Sequence, residues 1–272
     1  MTQASAQQGF QVGGRQVDLF RGTADYYAAY RRPYPQPVVD YLVKRCSLDG
    51  QGRLLDAGCG TGQVFQTMAR YFDEVLAIDP DPEMVAYARR TAVERGLDNV
   101  TVRQIRAEDL QADARPLRMA IFGDSFHWTD RPRVGEMIYD LLEPHGHLAV
   151  LSRGGIHTGT TAWETAIREA LNRHLGSERR AGSGVYREGE RHEQALRRTR
   201  FKKVEVVDIP ERERWSIDQI VGYLCSTSYA SKTVLGDQAE AFEQDVRQRL
   251  QGLAPDGEFE KLVEYSVILA ER

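Results

Sequence analysis

Three glycines at alternate positions, Gly58, Gly60 and Gly62, lie between a short apolar run that reads as a strand, Arg53 to Asp56, and a helical pattern with Val64, Phe65, Met68, Ala69 and Phe72 on one face. This strand–turn–helix junction narrows the choice of fold more than any other stretch of the chain. Glycine lets the backbone turn sharply and approach a ligand closely. The helix that follows is expected to aim its first N–H groups at that ligand. The same order then repeats. Glu74 to Asp79 reads as a second buried strand, followed by a helix carrying Met84, Val85, Ala88 and Ala92. Val100 to Ile105 and Met119 to Phe122 read as the third and fourth strands. Val134, Met137, Ile138, Leu141 and Leu142 recur at helical period, Glu143 to Gly146 is expected to break that helix, and His147 to Ser152 reads as the fifth strand. Alternation of this kind implies βαβ units and a parallel sheet covered by helices on both faces. Such sheets bind ligands at the carboxyl ends of their strands, here just after residues 56, 79, 105, 122 and 152.

The loop also restricts the ligand. A dinucleotide fingerprint needs its third glycine one place later, where this chain has Gln63. Asp56 closes the first strand, where an acid would repel a pyrophosphate and attract an amino group. Together these features favour a nucleoside bearing a cationic amino acid over NAD or FAD. Asp79 lies 21 residues beyond Gly58, placed to accept from two ribose hydroxyls. A helix cap is the other reading of Asp79, since Pro80 to Pro82 opens the next helix.

The run Asp56-Ala57-Gly58-Cys59-Gly60-Thr61-Gly62 resembles motif I of class I S-adenosylmethionine-dependent methyltransferases. The resemblance implies an α/β fold: a Rossmann-like, seven-stranded, mostly parallel sheet with helices on both faces and a helical cap. It implies S-adenosylmethionine as cofactor and S-adenosylhomocysteine as product. Asp79 and Pro80 resemble motif II, and Met84 stands where the family often packs a residue on adenine, with a core methionine as the alternative. Ala107-Glu108-Asp109 resembles the adenine-recognition turn, with Glu108 favoured for the side-chain contact and a capping role as the other reading.

Ser125-Phe126-His127-Trp128 resembles a loop of small-molecule methyltransferases and differs from the Asn/Asp-Pro-Pro-Tyr loop of nucleic-acid amino-methyltransferases. Ser125 joins the expected cofactor set. His127 is the candidate general base or substrate anchor, because imidazole can take a proton near neutral pH; a histidine that merely caps the loop is the alternative. Upstream, Phe20, Ala24, Tyr27, Tyr30, Arg31 and Pro33 are similar to the segment that folds over the cofactor's methionine end in this branch. Arg31 is expected to pair with the methionine carboxylate, and Tyr27 and Tyr30 to shield the sulfonium. Arg32 separates Arg31 from Pro33, so the choice between the two arginines stays open. Trp215 to Ser231 also resembles this branch, where the corresponding part helps to form the acceptor pocket.

Composition sets the remaining bounds. At 272 residues and 41% hydrophobic content the chain can bury a substantial core. A net charge of -4 gives no basic stripe for nucleic acid. Cys46, Cys59 and Cys225 are widely spaced, which argues against a disulfide framework or a zinc site and for a reducing, cytoplasmic setting. Met1 to Gln16 lacks the apolar core of a signal peptide and is expected to be loose, and no run is long and apolar enough to span a bilayer. The expected organisation is an N-terminal helical cover over 1–45 and a methyltransferase domain over 46–272. Cap insertions are expected around 155–190 and 211–255, with an amphipathic stretch at Trp163 to Leu175, late strands at Phe201 to Ile209 and Leu262 to Ala270, and a largely helical Ser216 to Leu250. The expected activity is methyl transfer to an amine or hydroxyl of a small molecule. The resemblance extends to bacterial natural-product enzymes, including aminoglycoside N-methyltransferases, which points to an amino sugar or related intermediate. An NAD-linked oxidoreductase and a non-catalytic S-adenosylmethionine-binding protein are the rival readings. The sequence leaves the oligomeric state open.

Overall fold

The strand that leads into the glycine loop, β1 (Arg53–Ala57), is buried at every position, as a central parallel strand must be. The computed structural model describes residues 20, 22–111, 115–177, 180–181, 184–185, 189–254 and 256–272. The expectation for Met1 to Gln16, the Gly/Arg/Ser-rich side chains of 178–188 and Leu19 lie outside the described residues. Around β1 stand β2 (Glu74–Asp79), β3 (Val100–Gln104), β4 (Leu117–Gly123), β5 (Leu142–Arg153), β6 (Lys203–Ser216) and β7 (Glu258–Glu271). They form one seven-stranded sheet in the order β3-β2-β1-β4-β5-β7-β6. The first five run parallel, with Leu54 between Val75 and Met119. β7 is antiparallel to β5, placing Ile268 beside Val150, and β6 is antiparallel to β7, placing Val206 beside Ile268.

Helices cover both faces. On one, Leu54, Val75, Met119 and Ile121 pack with Val38, Val39 and Leu42 of α2 (Gln36–Arg45), Phe65 and Met68 of α3 (Phe65–Met68), and Val85 and Ala88 of α4 (Pro82–Glu94). On the other, Leu55, Ile78, Ala120 and Phe122 pack with Val134 and Ile138 of α5 (Arg131–Leu141) and Leu196 of α7 (His192–Arg197). A third core joins α6 (Ala162–Leu175), α8 (Ile217–Cys225) and α10 (Ala239–Leu253) to Trp215 and Phe259 at the far ends of β6 and β7. A short α9 (Lys232–Leu235) lies between α8 and α10. This third core is the helical cap. α1 (Ala24–Tyr30) reaches it directly: the Tyr30 ring occupies the space that a Cβ on Gly222 of α8 would need.

The structure departs from the sequence reading in four places. α3 is a single turn continued by a 3-10 turn over Ala69–Tyr71, and Phe72 is already extended. α5 ends at Leu141, so the helix breaks where Glu143 to Gly146 was expected to break it, but β5 already begins at Leu142, its pairing with β4 passing from Leu142 to His147. β6 and β7 are 14 residues each, so 211–216, expected to be cap, is sheet. Pro210 and the charged run Glu211-Arg212-Glu213-Arg214 read as non-strand, yet β6 is an edge strand that tolerates a proline and lets alternate charges face solvent. α7, with only Ala195 and Leu196 buried, gave too weak a periodic signal to be foreseen. The three cysteines are buried and unpaired. Among the described residues no cluster of His, Cys, Asp and Glu could hold a metal ion, and no helix is long and apolar enough to cross a membrane.

Candidate active site

The glycine loop stands at the carboxyl rim of the sheet, and its geometry demands glycine. Gly58, Gly60 and Gly62 have φ of +67°, +55° and +105°. A Cβ on Gly58 would come within 2.5 Å of the Ser125 Cβ, and one on Gly60 within 3.2 Å of the Tyr27 ring. The loop thus carries β4's following turn on one side and α1 on the other.

Several of its amides bond within the protein. The Gly58 and Cys59 N–H groups both donate to the Ile78 carbonyl at 2.8 and 2.9 Å, and Gly62 N–H donates to the Cys59 carbonyl. Gly60 N–H donates to Asp79 Oδ2 at 2.9 Å, and Phe65 N–H to Asp56 Oδ2 at 3.1 Å. These donors are spent inside the protein, so they do not form the cluster of free N–H groups that would hold a phosphate. What the loop offers instead is acid. Asp56 is 0% exposed, and its Oδ1 has no hydrogen-bond partner among the described residues. Burial pushes its carboxyl up to about 8, against the Phe65 N–H, which favours the charged form. Asp79 accepts from Asp81 N–H through Oδ1 at 2.9 Å as well as from Gly60. Burial raises it to about 6, opposed by these two N–H donors. Each Asp79 oxygen keeps a further lone pair.

The cap of α4 belongs to Asp81, which accepts from the Glu83 and Met84 N–H groups. Sequence reasoning had weighed that duty for Asp79 and passed over Asp81. Pro80 lies beside Asp79, half-buried, its carbonyl accepting from Gln104 Nε2. Met84 is buried in the first turn of α4. Ala107, Glu108 and Asp109 form a 3-10 turn after β3. The Glu108 carboxylate accepts from Asp130 N–H at 3.2 Å and faces Arg106 Nε at 3.6 Å, so it also ties this turn to the start of α5.

After β4, Ser125 Oγ donates to the Ala57 carbonyl at 2.6 Å, which makes it a buried brace between strands beside Gly58. His127 lies in the 3-10 turn Phe126–Trp128, its ring centroid 4.4 Å from Trp128 and 6.2 Å from His192. His192 Nδ1 faces Arg131 Nη1 at 3.4 Å, which requires Nδ1 to accept. Burial, helped by Arg131, holds His192 down at about 4, so it is neutral at physiological pH.

The N-terminal cover divides its aromatic and basic residues between two sides. Tyr27 lies against Gly60, edge-on to Phe20 at 6.2 Å, and burial raises its phenol to about 12. Phe20 in turn packs edge-on against Trp128 at 5.6 Å. Tyr30, expected to shield the site with Tyr27, turns the other way onto Gly222. Arg31 faces inward. Its Nε donates to Ser226 Oγ at 2.8 Å, its Nη1 to Tyr223 OH at 3.2 Å, and its guanidinium lies 5.0 Å from the Tyr27 ring centroid. Arg32 turns outward, over the Trp215 ring, donating to Gln219 Oε1 at 2.9 Å. Of the two arginines, Arg31 shares the Tyr27 side and Arg32 does not.

Sequence reasoning missed a polar cluster beneath the cover. Asp124, at φ +52°, accepts from Tyr34 OH at 3.1 Å and from Arg153 N–H at 3.0 Å. Arg153 Nη2 donates to the Arg32 carbonyl at 2.7 Å. Burial opposes the charge on Arg153, but Tyr265, Asp124 and Tyr34 around it raise its pKa above the ordinary value. The available signal was that Asp124 and Arg153 stand at the ends of two adjacent strands.

Residues 54–146 match the family profile of a methyltransferase domain. Over 128 residues, 46% of this chain and 43% of the relative, the sequence is 33% identical to the probable S-adenosylmethionine-dependent methyltransferase CRG1 of Saccharomyces cerevisiae. It is 37% identical over 114 residues, 41% of this chain and 46% of the relative, to a ubiquinone biosynthesis O-methyltransferase of Xylella fastidiosa. The chain thus spans less than half the length of these curated relatives. A solved protein from Anaeromyxobacter dehalogenans, classed provisionally as a type II methyltransferase, superposes with a TM-score of 0.63 at 22% identity, over 89% of this chain and 97% of its own.

Proposed function

We propose that this chain, which carries a methyltransferase domain over residues 54–146, transfers a methyl group from S-adenosylmethionine to an amine or hydroxyl of a small molecule. The observation that carries the reading is the character of the glycine loop. Its amides are turned inward onto Ile78, Asp79 and Cys59, and the acids Asp56 and Asp79 flank it. A site so built suits a positively charged nucleoside and disfavours a pyrophosphate, which counts against the NAD-linked alternative. The unpartnered buried Oδ1 of Asp56 is the kind of acceptor that the ligand's amino group would satisfy. Asp79 would hold the ribose hydroxyls through its remaining lone pairs. Pro80, Met84, Ala107 and Glu108 would border the adenine, Ser125 would set the loop beside it, and Tyr27 and Arg31 would close over the amino-acid end. The cofactor supplies an electrophilic methyl on a charged sulfur; the protein's part is to orient the acceptor and exclude water.

The finer assignment is an amino sugar or related natural-product intermediate, supported by the acidic balance of -4 and by the sequence resemblance. The test is a labelled-methyl screen against amino sugars, phenols and carboxylates. Acceptor-dependent formation of S-adenosylhomocysteine supports methyl transfer, and label on an amino sugar supports the finer assignment. Absence of label on every acceptor, despite tight binding of the cofactor, would favour a non-catalytic binding protein.

Asp56 gives a prediction with a definite sign. Its carboxyl, near 8 in the free protein, is mostly protonated at pH 7. A cation placed beside it favours the charged form, so its pKa falls on binding and a proton leaves. Calorimetry of S-adenosylmethionine binding at pH 7, in buffers of different ionisation enthalpy, is expected to register release of up to about one proton. Asp56→Asn is expected to abolish that release. Proton uptake in the wild type would refute the placement.

His127 is the proposed general base. His127→Ala is expected to lower kcat by about 10²–10⁴ while S-adenosylhomocysteine affinity stays within twofold. Undiminished turnover would leave His127 as a packing residue of its loop.

A further inference from the structure

We infer a second ligand site: a surface pocket of about 410 Å³, on the outer side of α1, that takes a small polyanion carrying phosphoryl or carboxylate oxygens. It lies between α1, the start of the helix after the glycine loop and the second half of α4. It shares Arg31 with the proposed cofactor site but lies on the other side of α1. Tyr27 faces Gly60 on one side of α1, whereas Ala28 and Ala29 line the pocket on the other. Asp79, Glu108 and Ser125 do not line it.

The charge of the lining carries the inference. Arg90 and Arg95 supply the charge, with Glu94 as the one carboxylate among the lining residues; Arg31 and Arg32 also border the pocket, but the Arg31 guanidinium is turned to Ser226 and Tyr223 and Arg32 is ion-paired with Glu213 at 3.5 Å. The chain as a whole carries -4, so this is a local reversal of sign. Arg90 rests its guanidinium over the Tyr87 ring at 3.9 Å, a neutral partner that fixes its plane and leaves its charge uncompensated. Among the described residues neither Arg90 nor Arg95 forms an ion pair. The Gln63 and Thr61 side chains, hydrogen-bonded to each other at 2.8 Å, give the pocket a fixed polar floor.

Guanidinium groups bind phosphate and carboxylate oxygens in a two-pronged geometry that ammonium cannot match. A volume of about 410 Å³ is the size of a small-molecule site. An anion seated there would join Arg90 of α4 and Arg95 at its C-cap to the Arg32 end of the cover. This site does not depend on the methyl-transfer reading, and its test requires no methyl donor.

Pyrophosphate and citrate are titrated separately into the full chain by calorimetry, with sodium chloride adjusted to constant ionic strength. The expected result is saturable one-to-one binding of at least one of them. Arg90→Gln combined with Arg95→Gln is expected to weaken that binding at least tenfold, with the thermal unfolding profile of the free protein unchanged. Pyrophosphate alone would identify phosphoryl groups as the recognised chemistry, citrate alone carboxylates, and both a general polyanion site. Failure of both to bind, or equal binding by the double variant, would overturn the proposal.

Discussion

Gly58→Ala is expected to destabilise the fold by about 2–5 kcal/mol and to remove detectable binding of S-adenosylhomocysteine. Two costs combine. At φ +67° an L side chain in the left-handed region costs about 1–2 kcal/mol. The new methyl group would also lie 2.5 Å from Ser125 Cβ and 2.9 Å from its Oγ. Ser125 cannot yield freely, because its hydroxyl is bound to the Ala57 carbonyl in the same turn. Forcing a methyl into such a contact costs about 1–3 kcal/mol. The structure would relax by moving the loop away from β4's following turn, carrying Gly60 N–H off Asp79. Urea unfolding measures the first effect and calorimetry the second. A variant with wild-type stability and affinity would show that the loop is slack at this point. Gly60→Ala is the milder neighbour, since its methyl group meets the Tyr27 ring at 3.2 Å and that ring belongs to the cover.

Asp79→Asn is expected to cut S-adenosylhomocysteine affinity about 100-fold, equivalent to about 2.7 kcal/mol. Both carboxylate oxygens accept a backbone N–H, one from Gly60 and one from Asp81. An amide has a single acceptor oxygen, so its NH2 would confront one of these N–H groups donor to donor. Hydrogen bonds to a charged group are worth about 1.5–3 kcal/mol each, and losing one of them also loosens the loop. The wild-type pH profile carries the same information. With Asp79 near 6, protonation as the pH falls below 6 removes acceptor capacity, so affinity drops toward acid. For Asp79→Asn the affinity is expected to lack this inflection. A variant that binds as tightly as the wild type would remove Asp79 from the site.

The first four strands were legible because their signals are local: apolar runs of the right length, each punctuated by a turn. The order of the last two strands and the reach of β6 were not. Pro210 and its charged neighbours resemble a loop until the strand is known to lie at an edge. The site was legible as a set of positions more than as a set of contacts. Asp56, the glycines and Asp79 could be read from spacing. The direction of the loop amides could not, because their acceptor, the Ile78 carbonyl, belongs to the neighbouring strand. Arg31 and Arg32 are chemically identical in the sequence. Only the meeting of α1 with α8 turns one toward Tyr223 and the other toward Trp215. Asp124 and Arg153 acquire meaning from adjacency across the sheet, and no sequence interval expresses that.

The edge at β6 also bears on whether another strand could extend the sheet. An outer strand with free N–H and C=O groups invites another chain to continue the sheet. Here position 210 has no N–H to offer, and an incoming strand would meet the exposed Arg212 and Arg214 side chains. Pairing of a further strand along β6 is therefore disfavoured by the residues of the strand itself, an imino acid followed by two exposed cations.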